Sequence, residues 1–161
     1  MGQYIATPKA SHAPVEVATG TALKTLLQVA TPSTTNLQIL GWGISFDGIV
    51  VTDPAGVVVL IDTNVAATVT TLTPDKWGSD DNPASLCVGG TALTGYNASA
   101  EGTITASRLL DAQNVHPQTG YSIWFPADTR PLIKASRFLR IRSTFGITTN
   151  AIPWVVWGEP V

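Results

Sequence analysis

Large apolar side chains alternate with Thr, Ser or Gly along most of this chain, and a period of two is met only by extended strands. The clearest case is Asn36–Asp47. Leu37 and Ile39 share one phase; Leu40, Trp42, Ile44 and Phe46 then repeat in the opposite one, with Gly41, Gly43 and Ser45 between them. A change of phase at Ile39–Leu40, beside glycines, predicts a β-bulge inside a single strand. Asp47-Gly48 supplies a turn that ends it.

Reading outward from that strand predicts the rest of the fold. Ala22–Ala30 is built on Leu23, Leu26, Leu27 and Val29. The leucines also fit helical spacing, but the β-branched Thr21, Thr25, Val29 and Thr31 decide for a strand. After a turn at Asp53-Pro54-Ala55-Gly56, Val57–Ile61 is a continuous apolar run suited to an inner strand. Further strands are expected at Ala66–Leu72, Thr103–Asp111, Tyr121–Phe125, Arg137–Phe145 and Ala151–Gly158, with Leu132–Lys134 a short addition. About eight strands in sequence predict an all-β fold, a two-sheet antiparallel sandwich of jelly-roll or Greek-key type. Residues 1–20 hold two prolines and little core pattern. They read as an extended N-terminal arm that gains order on a neighbour, or as a frayed end with one short strand at Val15–Val17. Residues 73–102 lack strong periodicity and form a long loop, of the kind that carries function or covers a neighbour. Residues 21–161 are then a single β-sandwich domain.

Composition narrows the function. Only 12% of residues are charged, about half the share usual in a soluble domain. Solubility therefore rests on Thr, Ser, Asn, Gln and Gly, and a weakly charged exterior of this kind suits permanent contact with other protein surfaces; a sandwich with a neutral polar face is the plainer alternative. The net charge of −2 argues against nucleic acid as a partner, whose binding draws on clustered cations. Charge is unevenly spread: residues 1–107 carry three cations against eight anions, residues 108–161 six against three. No apolar run approaches the roughly 18–20 residues of a membrane span. The N-terminus lacks the pattern of a secretory signal, so synthesis in the cytoplasm of the producing cell is expected.

Residues able to do chemistry are few. His12 and His116 both fall in loops, and no Gly-x-Ser-x-Gly elbow, His-x-His pair or His-Glu-x-x-His motif occurs. The single cysteine, Cys87, excludes an intrachain disulfide and reads as a small packing residue. Asp75, Asp80 and Asp81 near Asn82 lack the ordered spacing of a calcium loop and read as a solvated acidic turn. Asn97-Ala98-Ser99 matches a glycosylation sequon, taken as coincidence. No catalytic residue, metal or cofactor is expected, and the chain reads as non-enzymatic.

Aromatic and arginine residues offer the candidate contacts. Trp154-Val155-Val156-Trp157 and Tyr121-Ser122-Ile123-Trp124-Phe125 are apolar on both faces. Such a strand is central to a three-layer structure or lies at a subunit interface, where aromatics are enriched; core packing and carbohydrate stacking on an exposed Trp77 or Trp124 remain alternatives. In Arg137–Arg142, Leu139 and Ile141 face inward, so Arg140 and Arg142 project together from the other face, able to grip a partner's carboxylates or simply to be solvated. The candidate partner-binding residues are Tyr4 and Ile5 in the arm, then Trp124, Arg140, Arg142, Trp154 and Trp157.

The stretches Asn36–Gly48 and Thr103–Asp111, and the ending Arg137–Thr144 followed by Pro153–Glu159, resemble small β-rich structural proteins of tailed bacteriophages, especially those of actinobacterial hosts. In layout over roughly residues 20–159 the chain is similar to the jelly-roll decoration, or cement, proteins that stud the capsid. The resemblance implies a non-enzymatic clamp on the outer capsid surface of the virion. It would partner the major capsid protein and itself, as a homotrimer, and would bind neither nucleic acid nor membrane. The alternative is a carbohydrate-binding or host-adhesion module of a phage tail or virion.

Overall fold

The computed structural model describes residues 1–47 and 54–160. The expected Asp47-Gly48 turn and the start of the Asp53–Gly56 turn therefore lie outside the described residues. Within them the chain forms β1 (Gly2–Ala6), β2 (Lys9–Ala10), β3 (Ala13–Pro14), β4 (Val17–Ala18), β5 (Lys24–Ala30), β6 (Leu37–Phe46), β7 (Gly56–Thr63) and β8 (Thr68–Thr71). It continues through β9 (Asp75–Lys76), β10 (Gly95–Ala100), β11 (Ser107–Val115), β12 (Tyr121–Trp124), β13 (Leu132–Ile133), β14 (Phe138–Thr144) and β15 (Asn150–Glu159). Helix is absent from the described residues.

Two antiparallel sheets pack face to face. The front sheet runs β12-β6-β15-β1-β9, with β13 added to β6 and β4 to β15; the back sheet runs β11-β7-β14-β5-β10-β8. Four pairings are nested: β5 with β14, β6 with β12, β7 with β11, and β8 with β10. Nesting of this kind is what a long antiparallel hairpin produces when it rolls up into a jelly roll. Between the sheets lies one continuous core containing Tyr4, Leu26, Leu27, Ile39, Trp42, Leu60, Ile141 and Trp157.

The bulge falls where the phase change places it. Along β6, Val156 pairs with Gly41 and the next residue, Trp157, pairs with Ile39, so Leu40 is the extra residue. The shift turns Leu37 and Ile39 before it, and Trp42 and Ile44 after it, all into the core. The same shift leaves Gly41 and Gly43 on the outer face.

Three differences from the sequence reading stand out. Gly2–Ala6 is no free arm: it pairs with β15 along its whole length and with β9 at Tyr4 and Ile5. Tyr4 and Ala6 point into the core, and the arm reading missed them because five residues make too short a period to recognise. Ser11 and His12 then close a two-residue hairpin turn between β2 and β3, both with positive φ, as a type I′ turn requires. Within the long segment 73–102, two strands form. One of them, β10, is made of small residues and broken by a register shift around Asn97 at φ 55°, which erases its alternation. The strand expected at Thr103–Asp111 lies four residues further on, because its partner β7 ends at Thr63, opposite Ser107.

Candidate functional site

The open outer face of the front sheet carries the most distinctive arrangement. Alternation on β6 puts Gly41 and Gly43 there, and indoles from the two neighbouring strands lie over them. A Cβ at Gly41 would come within 2.7 Å of the Trp124 ring, and one at Gly43 within 2.7 Å of the Trp154 ring. Glycine is therefore required at both positions by close approach, as when an aromatic ring covers a strand glycine. Trp124 and Trp154 have ring centroids 5.3 Å apart at 36°, and Trp77 stands 6.2 Å from Trp124 at 31°. Trp77 reaches the row from the segment after β9, where its N–H donates to Gln3 O at 2.8 Å. Trp77 is 49% exposed and Trp124 52% exposed. Three indoles thus pack in a row, two of them seated on strand glycines and two of them exposed.

This row explains why Trp154–Trp157 is apolar on both sides. Trp157 and Val155 face the core, while Trp154 and Val156 face outward, and Val156 is fully buried nonetheless. Both edges of β15 are taken, by β6 and by β1 with β4. Of the two tryptophans expected at a partner contact, Trp157 is fully buried and is corrected to a core residue, while Trp154 is half-buried on the outer face. Trp157 is a core residue whose Nε1–H donates to Glu159 Oε1 at 2.8 Å. Tyr4 is likewise withdrawn from any partner, its hydroxyl donating to Pro83 O at 3.0 Å. Ile5 is half-buried, opposite Val156 in the ladder.

Arg140 and Arg142 do share one face, as the alternation predicts, but that face is closed by the chain itself. Arg140 is fully buried; its Nη1 donates to Glu101 Oε2 at 3.2 Å and to Glu101 O at 3.0 Å, and its Nη2 donates to Val65 O. Arg142 Nη2 lies 3.3 Å from the same carboxylate. Thr25 adds its hydroxyl to Glu101 Oε2 at 2.6 Å. Burial, above all, pulls the Arg140 guanidinium below its usual range, and Glu101 opposes that. The correction to a partner-gripping role follows: both cations are already paired within the chain.

Other polar side chains are also consumed in holding segments together. Asp62 takes Arg137 at 2.7 Å and Arg108 at 3.2 Å. Asp111 accepts from Trp42 Nε1 at 3.1 Å and from the Tyr121 hydroxyl at 2.9 Å, joining the edge of the back sheet to the front one. Burial first, and then this hydrogen bond, pushes the Tyr121 phenol up to about 12. The buried Glu159 accepts from Ser85 Oγ at 2.5 Å and Leu86 N–H at 2.8 Å, which ties residues 83–88 across the end of β15 as a strap. Under that strap Cys87 is fully buried, and burial together with Glu159 pushes its thiol well above the ordinary range. Full burial fits the small packing role that the sequence suggested for it.

Leu86 and Val88 of the strap and Leu93 beyond it are exposed and, with Pro32 and Phe138, wall a groove of about 300 Å³ at the end of the back sheet. Elsewhere His116 Nδ1 accepts from Gln118 N–H at 3.1 Å, Lys9 pairs with Asp75, and Lys76 donates to Asp80 O at 2.7 Å. Among the described residues no group of three or more His, Cys, Asp or Glu side chains is assembled to hold a metal ion.

Sequence reasoning missed the row as a unit because Trp77 joins from a segment without periodicity. The available signal was the Gly41/Gly43 spacing, which marks two empty outer positions in the middle of a sheet. Compared with known proteins, the chain matches no family model, no curated protein and no solved structure.

Proposed function

We propose that this chain is a non-enzymatic structural protein that docks on the outside of a phage capsid and stabilises the shell, in the manner of a decoration protein. One observation carries the reading: several ionic side chains pin the chain to itself, while a small group of large aliphatic ones stands exposed on its surface. Asp62 and Glu101 between them hold four of the arginines, and Leu86, Val88 and Leu93 stand exposed around an apolar groove. A surface of that kind desolvates cheaply against another protein, and many copies multiply modest contacts through avidity. The groove would receive an apolar segment of the major capsid protein. Self-association, as a homotrimer on the resemblance, has a route along β11: nine residues long, it ends the back sheet and pairs only with β7 among the described strands.

Co-sedimentation with shells assembled from the major capsid protein tests the docking. Leu86→Ser with Val88→Ser should sharply reduce occupancy at an unchanged melting temperature. Saturation of the shell by that variant at the wild-type concentration would remove the strap groove from the account.

A further inference from the structure

The tryptophan row lies apart from the strap groove, and shell docking makes no use of it. Beside Trp154 a second groove, about 530 Å³, opens along the edge of the front sheet, lined by Trp154, Tyr121, Ser45, Thr119 and Ser122. We propose that the row and this groove together bind a neutral saccharide chain.

Chemistry selects that ligand class. Indole faces are electron-rich and meet the positively polarised C–H groups on one side of a sugar ring, burying them without loss of hydrogen bonds. Hydroxyls of Ser45 and Ser122 can each donate and accept, and that of Thr119 can accept, which matches the hydroxyls at a sugar's rim. Thr119 Oγ1 already donates to His116 O at 3.1 Å, so it is fixed in place as an acceptor. The Tyr121 hydroxyl is committed to Asp111 and serves as wall rather than as donor. Among the described residues no Lys, Arg, Asp or Glu lines the groove, whereas an anionic ligand would call for charge-assisted partners.

Geometry adds preorganisation. Ring centroids 5.3 and 6.2 Å apart, tilted by 36° and 31°, mean that the three indoles brace one another. Gly41 and Gly43 seat two of the rings directly on a paired strand. Binding therefore orders few side chains, which lowers its entropic cost. The ligand would lie along Trp77 and Trp124 and continue past Trp154 into the hydroxyl-lined groove.

Titration of the intact chain with a panel of neutral gluco-, galacto- and N-acetylhexosamine oligosaccharides, followed by tryptophan fluorescence and calorimetry, tests this. At least one member should bind saturably. Trp124→Ala should weaken it by roughly tenfold or more at a little-changed melting temperature, and Ser122→Ala by a smaller factor. Leu86→Ser with Val88→Ser should leave the binding intact, which separates this site from shell docking. Absence of saturable binding across the panel, or binding that Trp124→Ala leaves unchanged, would overturn the proposal. So would a Trp124→Ala variant that loses shell docking while no saccharide binds, since the row would then belong to the shell interface.

Discussion

On the outer face of the back sheet, Arg140 and Arg142 lie under residues of their own chain, their guanidinium groups held by Glu101 and by Val65 O. On the outer face of the front sheet, the middle strand offers Gly41 and Gly43, and the exposed indole of Trp124 and the half-buried one of Trp154 lie over them. Gln28 strengthens the closure of the back face: it donates to Leu93 O at 2.6 Å and accepts from Ala67 N–H at 2.8 Å. A strand with polar side chains on its outer face thus recruits backbone to satisfy them, and the recruited segment closes the face. A strand with glycines there has nothing to satisfy. Rings from its neighbours fill the space, and their far sides stay free to meet something else.

The largest test of this contrast removes the closing residue. Glu101→Ala leaves Arg140 buried without its carboxylate, and denaturant unfolding should register a loss of about 3–5 kcal/mol. A loss of a few tenths would mean that the back face is held by its backbone contacts alone. On the front face, Gly43→Ala drives a Cβ into the Trp154 ring. It should cost about 1–3 kcal/mol and shift the tryptophan emission; an unchanged spectrum would deny that the rings rest on the glycine floor. The smallest effect is on pH dependence. Below pH 10 folded and unfolded chains both keep the Tyr121 proton. As pH rises from 10 towards about 12, the unfolded chain loses it first, so the folded state binds more protons and stability falls through that window. Tyr121→Phe should flatten part of that fall, and an unaltered slope would show that Asp111 does not hold the phenol.

How far the sequence could be read depended on whether a feature was local. The bulge at Leu40 was legible because a phase change within ten residues has one structural meaning. That Arg140 and Arg142 share a face was legible for the same reason. Their shared partner was not: Glu101 lies 39 residues from Arg140 in sequence, in a stretch with no period to place it. Gly2–Ala6 looked like an arm because nothing local announces β15 as its partner, 149 residues away at Ala6–Val155 and further along the rest of the ladder. The two-sided apolar strand at Trp154–Trp157 was seen correctly as needing cover on both faces: Trp157 lies in the core, and Trp124, itself against Trp77, packs on Trp154 from the same chain.

The central claim is that the outward aliphatic surface exists to meet a shell. Co-purification of this chain with phage particles, quantified against their major capsid protein, tests that proposal most directly. The account predicts many copies per particle, in a fixed ratio to the shell's symmetry sites. A few copies confined to a tail or vertex, or none at all, would contradict it.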